Sequence, residues 1–380
     1  MNAADTFRSR FNRSPAGVWS APGRVNLIGE HTDYNGGYVL PFAIDLRTQA
    51  AVARRDDGRV RVLSVQRGGD AVEFAIEDLK PHAGSGWAGY AVGVVWALRD
   101  KGFDVDGLDI VLDGHVPNGA GLSSSAALEC AVGLAALELS GIALPLEDLA
   151  RIAQYAENEY VGVPCGLMDQ MAVSVCRADH ALFFDVRDDV REHEPFAPDD
   201  DGLAVLVINT RAQHAHAGGA YAERRKSCEA AAKQLGVAYL RDVARSELDA
   251  ALRTLDDDVL RRRARHVITE NDRVLTTVDL LRNGRLSEIG PLLTASHESL
   301  RDDFEVSAPE LDTAVDAALA SGALGARMTG GGFGGSAIAL INTGDVDPVQ
   351  RAVAAAFERE GFVAPQFLSP KASAGVVRES

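Results

Sequence analysis

The chain has 380 residues, of which 46% are hydrophobic and 24% charged, enough apolar material for the cores of two domains or of one with a large insertion. Thirty-eight basic residues against 55 acidic ones leave a formal net charge of -17. That balance excludes a broad nucleic-acid or anionic-membrane surface, so an anionic ligand has to be held by a few focused groups.

The N-terminal MNAADTFRSRF carries an acid early and lacks the apolar centre of a secretory signal. Gly23 to Tyr38 reads GRVNLIGEHTDYNGGY, where Arg24, Asn26, Glu30, His31, Asp33, Tyr34 and Asn35 crowd a segment with four glycines. Asn35-Gly36 is a hairpin signal, but a turn does not account for GEHTD. Glu30, His31 and Asp33 place two carboxylates and an imidazole close together, and a carboxylate can accept two hydroxyls at once, as a sugar presents them. Arg24 adds an always-charged fork suited to a phosphate or to steering a carboxylate.

Downstream, RVRVLSV (Arg59 to Val65) alternates as a strand. The apolar run Tyr90 to Leu98 is much too short to span a bilayer. Cys130, Cys165, Cys176 and Cys228 form no CxxC pair, which fits a reduced intracellular protein. The expectation is a soluble, cytoplasmic chain.

PNGAGLSSSAALE, Pro117 to Glu129, leads a glycine-rich loop into a helix predicted over Ser123 to Gly141. Gly119 and Gly121 allow sharp turns and close approach to a ligand, and the helix N-terminus offers unpaired N–H groups to an anion. The serines could bind phosphate oxygens or a metal ion. A serine N-cap is the plain alternative, but three serines exceed what capping needs. This loop matches neither GxxxxGK[ST] nor GxGxxG.

A second helix is predicted over Leu146 to Tyr160, with Glu157 near its end, where a carboxylate opposes the helix dipole unless a cation is close; a solvated carboxylate is the alternative. In EYVGVPCGLMDQMAV (Glu159 to Val173), Asp169 sits among apolar neighbours and needs a partner. It either caps the next helix or serves as a base or orienting group for a hydroxyl. The acidic, proline-punctuated EHEPFAPDDDG (Glu192 to Gly202) suggests a boundary between domains at 1–198 and 199–380. Leu203 to Thr210 reads as a strand and Ala264 to Gly284 as a long amphipathic helix. GARMTGGGFGGSAIAL (Gly325 to Leu340) packs five glycines around Phe333 before a strand, marking close approach to a ligand or another loop, or a bulged turn. Strands and helices mix without βαβ rhythm, so the fold class is α+β. A phosphate loop, an arginine, a candidate base and a polyol grip describe phosphoryl transfer to a hydroxylated small molecule.

PGRVNLIGEHTDYNGGYVLP resembles the signature of galactokinases, and GAGLSSSA and RMTGGGFGG resemble the second and third motifs of their superfamily, the GHMP small-molecule kinases. PCGLMDQ, RHVITEN and SHESLRDDFEVSAPELD look like galactokinase too, so the similarity runs from about Phe11 to about Leu340. The resemblance implies a two-domain GHMP-kinase-like architecture with its active site in the cleft between the domains, the last strand or tail packing back on the first. It implies an enzyme using ATP and Mg2+ to phosphorylate C1 of α-D-galactose; a kinase for N-acetylgalactosamine or L-arabinose and a non-catalytic sugar sensor are the alternatives, and a monomer is expected. Asp169 and Arg24 match the catalytic pair. Glu30, His31, Thr32, Asp33, Gly166 and Asp169 fall at sugar-binding positions. Gly119, Ala120, Gly121, Leu122, Ser123, Ser124 and Ser125 match the ATP-phosphate loop, with Ser125 and Glu157 at the metal positions. Ser64 and Trp87 resemble residues near the nucleotide, although a tryptophan is also an ordinary core residue. Where galactokinases often carry SEYNxRR, this chain has GGAYAERR, keeping Tyr221 as a sugar contact but losing its neighbours. His214 and His216 just upstream read as a solvated loop rather than a metal site.

Overall fold

A computed structural model describes residues 2–82, 86–212 and 217–380. In chain order the strands are β1 (Gly17–Asn26), β2 (Tyr38–Val39), β3 (Pro41–Arg55), β4 (Arg59–Ser64), β5 (Val72–Ala75), β6 (Gly107–Gly114), β7 (His180–Asp185), β8 (Val190–Pro195), β9 (Leu203–Asn209), β10 (Gly325–Thr329), β11 (Ser336–Asn342), β12 (Gln366–Leu368), β13 (Ala372–Ser373) and β14 (Val377–Arg378). The helices are α1 (Ala3–Phe11), α2 (Gly89–Asp100), α3 (Ser124–Leu139), α4 (Leu146–Tyr155), α5 (Met168–Val175), α6 (Ala217–Leu235), α7 (Leu248–Thr254), α8 (Asp258–Arg282), α9 (Gly290–Ser299), α10 (Pro309–Ala320) and α11 (Val346–Glu360).

One sheet runs β14-β1-β3-β6-β4-β5, with β13 added alongside β3; a second runs β10-β11-β9-β12, and β2-β7-β8 form a third. Only the β4–β6 pair is parallel among these strands, so the fold is α+β, as the mixed sequence pattern predicts. The chain's last residues complete the first sheet: Trp19 and Ser20 of β1 pair with Arg378 and Val377. A contiguous apolar core joins β1, β3, α2 and α3 to Val205 and Val207 of β9, Val274 and Val278 of α8, and Ile338 of β11.

Three local expectations differ from what forms. The Asn35-Gly36 turn exists, with Gly36 at φ 65, but it ends a single 3₁₀ turn inside a long loop rather than a two-residue hairpin. β1 pairs with β3 across that loop, from Asn26 opposite Pro41 to Gly17 opposite Val52. The predicted helix at 146–160 stops at Tyr155 and continues as a π-helical turn, Ala156–Val161, closed by Gly162 at φ 83. The long helix predicted from Ala264 begins at Asp258, where the Asp257 side chain accepts from the N–H groups of Val259 and Leu260.

Candidate active site

Arg24 is aimed by a break in the β1–β3 ladder between Pro22 and Arg24. Gly23 makes that possible, since a Cβ there would collide with the Leu122 carbonyl and the Val116 side chain. The close approach lets the Arg24 N–H donate to Leu122 O at 3.1 Å, docking the first motif on the glycine-serine loop. The Arg24 guanidinium then donates to Asp169 Oδ1 from Nε at 2.9 Å and from Nη2 at 2.7 Å, and to the Gly121 carbonyl.

Asp169 stands in the first turn of α5, and neither of its oxygens caps that helix. Its other oxygen, Oδ2, accepts from Ser123 Oγ at 2.5 Å. Ser123 itself has φ 59, and its side chain does not cap α3. The first of the three serines thus holds Asp169, while Ser124 and Ser125 face a different space.

That space is a cavity of about 330 Å³ lined by Ser64, Gln66, Arg67, Trp87, Tyr90, Gly119, Ser124 and Ser125 among others. Arg67 lies 5.6 Å from the Trp87 ring centroid, giving the cavity a flat aromatic wall with a cation beside it. Ala120 and Leu122 of the loop are buried instead, and Gly121 faces Arg24 and the third motif.

On the other side of the loop, a cavity of about 270 Å³ is lined by Arg24, Glu30, His31, Asp33, Glu157, Gly166, Asp169, Tyr221, Gly330 to Gly332 and Phe333 among others. A hydrogen bond between Glu157, on the wall of one cavity, and Ser125, on the wall of the other, links the two walls. The π-helical turn turns Glu157 inward, an instance of such turns marking sites, and Gln170 Nε2 donates to its carboxylate at 2.6 Å. Burial, then the charge of Asp169, pushes the Glu157 carboxyl up to about 7. Behind it lies Glu129, fully buried with one oxygen unpartnered, and raised well above the carboxylate range by burial and by Glu157.

Glu30 is anchored through Oε1, which accepts from the Gly330 N–H at 2.7 Å and lies 3.4 Å from Arg327 Nη1. Burial raises its carboxyl, while Arg327 and Arg24 oppose the rise. The glycine cluster is packed against both loops: a Cβ on Gly330 would meet Gly121 O at 2.9 Å, and one on Gly335 would meet Ala120 O at 3.3 Å. Asp33 Oδ1 accepts from the Tyr34 N–H at 2.9 Å, and burial followed by Asp169's charge pushes its carboxyl up to about 6. The Tyr221 ring lies tilted against that of His31, with ring centroids 5.3 Å apart.

Two of the expected sugar contacts, His31 and Thr32, have their polar atoms engaged by the protein. His31 touches the cavity, but both ring nitrogens are occupied by the protein, Nδ1 with Tyr34 Oη at 2.9 Å and Nε2 with Gly331 O at 3.2 Å. Burial pushes the ring down to about 3, so it stays neutral, Nε2 donating and Nδ1 accepting. Thr32 lies off the wall: its hydroxyl is 2.8 Å from Gly29 O and 2.6 Å from Tyr38 O, and it ties the loop's ends together. His214 and His216 lie outside the described residues. Sequence reading missed Glu129, Gln170, Gln66 and Arg67; only the Met-Asp-Gln string hinted at Gln170.

The fold and site define a small-molecule kinase of the GHMP class. The family model for the GHMP kinases N terminal domain matches residues 89–177, and that for the GHMP kinases C terminal matches 277–359. The mevalonate kinase of Methanococcus jannaschii shares the fold, with TM-score 0.66 at 17% identity over 93% of this chain and 98% of that one. More narrowly, the galactokinase galactose-binding signature matches residues 5–54. A Streptomyces coelicolor galactokinase is 51% identical over 98% of this chain and 97% of its own length. The crystal structure of Lactococcus lactis galactokinase complexed with galactose superposes with TM-score 0.95 at 33% identity, covering 99% of this chain and 98% of that one. The chain belongs to the galactokinase family.

Proposed function

We infer that the chain transfers the γ-phosphoryl group of ATP to the C1 hydroxyl of α-D-galactose, giving galactose 1-phosphate and ADP. The observation that carries this reading is the Ser125–Glu157 hydrogen bond between the walls of the two cavities, with the Arg24–Asp169 pair lining the second. The nucleotide lies in the cavity with Trp87, Ser64 and Gly119, and the sugar in the one with Glu30, Asp33, Gly166 and Tyr221. Asp169, fixed by Arg24 and Ser123, aims the C1 hydroxyl at the γ-phosphorus, and Arg24 offsets charge growing on the phosphoryl oxygens. A largely dissociative transfer asks little of a base, so orientation is the larger part of Asp169's work.

Ser125 Oγ and the Glu157 carboxylate supply two hard oxygen donors, the kind magnesium takes alongside nucleotide phosphates. Among the described residues no group of three or more His, Cys, Asp and Glu side chains is placed to hold a metal alone. Three carboxyl groups, the buried Glu129 and Glu157 and the partly exposed Asp169, influence one another at this spot, and a divalent cation would relieve their repulsion. Bound there, magnesium would neutralise charge on the transferring group. We also read the protein as a cytoplasmic monomer; its four free cysteines suit a reducing compartment, and among the described residues no helix is long and apolar enough to cross a membrane.

The test is ADP release with Mg-ATP, comparing D-galactose with glucose, N-acetylgalactosamine, L-arabinose and mevalonate. Turnover on galactose far above the rest is expected. Preference for another sugar moves the specificity to Tyr221 and its changed neighbours, and galactose binding without ADP release with any acceptor makes the chain a sensor.

A pH profile follows from Asp33. Its carboxyl, raised to about 6, takes up a proton as the pH falls through that value and then offers fewer lone pairs to sugar hydroxyls. The galactose KM should rise below that pH. A galactose KM flat from about pH 8 to about pH 5 would remove Asp33 from the sugar site.

A further inference from the structure

RHVITEN, Arg265 to Asn271, lines neither cavity. It lies on α8, and three of its side chains reach the backbone of the loop that carries Glu30 and Asp33. His266 Nε2 is 3.1 Å from Glu30 O, with Nδ1 2.9 Å from Ser299 Oγ. One turn along, Glu270 Oε1 accepts from the Gly29 N–H at 2.9 Å and from Ser296 Oγ at 2.7 Å. Next to it, Asn271 Oδ1 accepts from the Tyr38 N–H at 3.0 Å. All three side chains are buried.

These bonds bracket the loop, two where it leaves β1 and one where it returns at β2. Between the brackets the backbone makes no strand ladder, and Gly29 has φ 104, so the loop's course depends on partners outside it. The fit is close: a Cβ on Gly37 would collide with Asn271 Oδ1. Burial holds His266 neutral by pushing it down to about 4, so its Nε2–H donates to the Glu30 carbonyl and Nδ1 accepts from Ser299. Arg327 completes the arrangement from the third motif, 3.4 Å from the Glu30 carboxylate and 4.0 Å from that of Glu270. Glu30 is thus held by its carbonyl from α8 and by its carboxylate from β10 and the glycine loop.

We propose that His266, Glu270 and Asn271 are positioning residues for the sugar: they fix the loop that presents Glu30 and Asp33 without touching substrate. This rests on the assignment of that loop to galactose. The α8 row contacts no residue of the nucleotide cavity through these bonds, so its effect belongs to the acceptor alone.

The experiment compares His266→Asn, which lacks an atom at the Nε2 position, with His266→Gln, which returns an amide donor there. It also compares Asn271→Leu, which removes the acceptor at similar volume, with Asn271→Asp, which keeps it. His266→Asn and Asn271→Leu should raise the galactose KM about tenfold, the worth of one buried hydrogen bond, with the ATP KM within about twofold of wild type. His266→Gln and Asn271→Asp should recover most of that loss. Galactose and ATP KM rising together, or a galactose KM unchanged in folded variants, would overturn the proposal. Should Asn271→Leu fail to fold, the His266 pair decides. The ratio is measured on the sugar the wild type turns over, so a wild type that rejects galactose fails the galactose assignment without deciding this one in its place; the same split is then read on the accepted sugar.

Discussion

Asp169→Asn is expected to cut turnover by about three orders of magnitude while galactose and ATP still bind within a few-fold of wild type. Three protein donors converge on this carboxylate: Nε and Nη2 of Arg24 on one oxygen, and the Ser123 hydroxyl on the other. An amide has the same shape but only one acceptor end. Whichever way it turns, its NH2 faces a donor: toward Arg24 it repels the guanidinium, and toward Ser123 it reverses that hydroxyl's role. Either outcome loses the fixed acceptor to which a C1 hydroxyl would be aligned. The fold should survive, because the Asp169 side chain is 27% exposed and the substitution adds no volume. Binding of galactose by calorimetry together with single-turnover kinetics separates the two effects. Near-normal turnover in a folded variant would take Asp169 out of the chemistry. A variant that loses galactose binding and turnover to the same degree would make it a binding group alone.

How much of this was legible in the sequence depends on the range of the interactions involved. The α3 helix, the β4 and β9 strands and the glycine-rich turns were readable because their signals are local: period, caps and punctuation within a few residues. The three motifs were also recognisable as chemistry. What each side chain does there was not, since it is decided by partners far along the chain. Glu30 is bonded to the N–H of Gly330 across 300 residues, and His31 to the carbonyl of Gly331 across another 300. A histidine beside two carboxylates looks like a ligand-binding group in the sequence, and only the structure shows both nitrogens already engaged. Glu157 was placed at a helix end by its period, but one extra residue in the π-helical turn rotates it into the site. Ser123 is indistinguishable in the sequence from its two neighbours, although its φ of 59 turns it to Asp169 while they face the cavity walled by Trp87. The pairing of residues 377 and 378 with β1 likewise has no local signature, since two residues carry no period.

Gly166→Ala should lower kcat/KM for galactose by about a hundredfold, mostly through KM, with little change in melting temperature. A Cβ on Gly166 would fall within the van der Waals radius of the Asp33 carboxylate, closest to Oδ2. Something must yield, and the candidates differ in consequence. The Asp33 side chain can rotate aside without disturbing the core, which preserves the fold and removes the carboxylate proposed to hold the sugar. Alternatively the backbone before α5 shifts, and Asp169, three residues on, moves with it. The first route is the less costly, because a side-chain rotation costs less than displacing a helix start that packs Met168 and Met171 into a buried cluster. The two routes are separated by a double variant. In an Asp33→Ala background the collision is gone, so Gly166→Ala should add almost nothing to the loss already caused by Asp33→Ala. If Gly166→Ala instead repeats its full effect there, or lowers kcat more than it raises KM, the backbone has moved. Gly166 would then act through Asp169 and not by making room for Asp33.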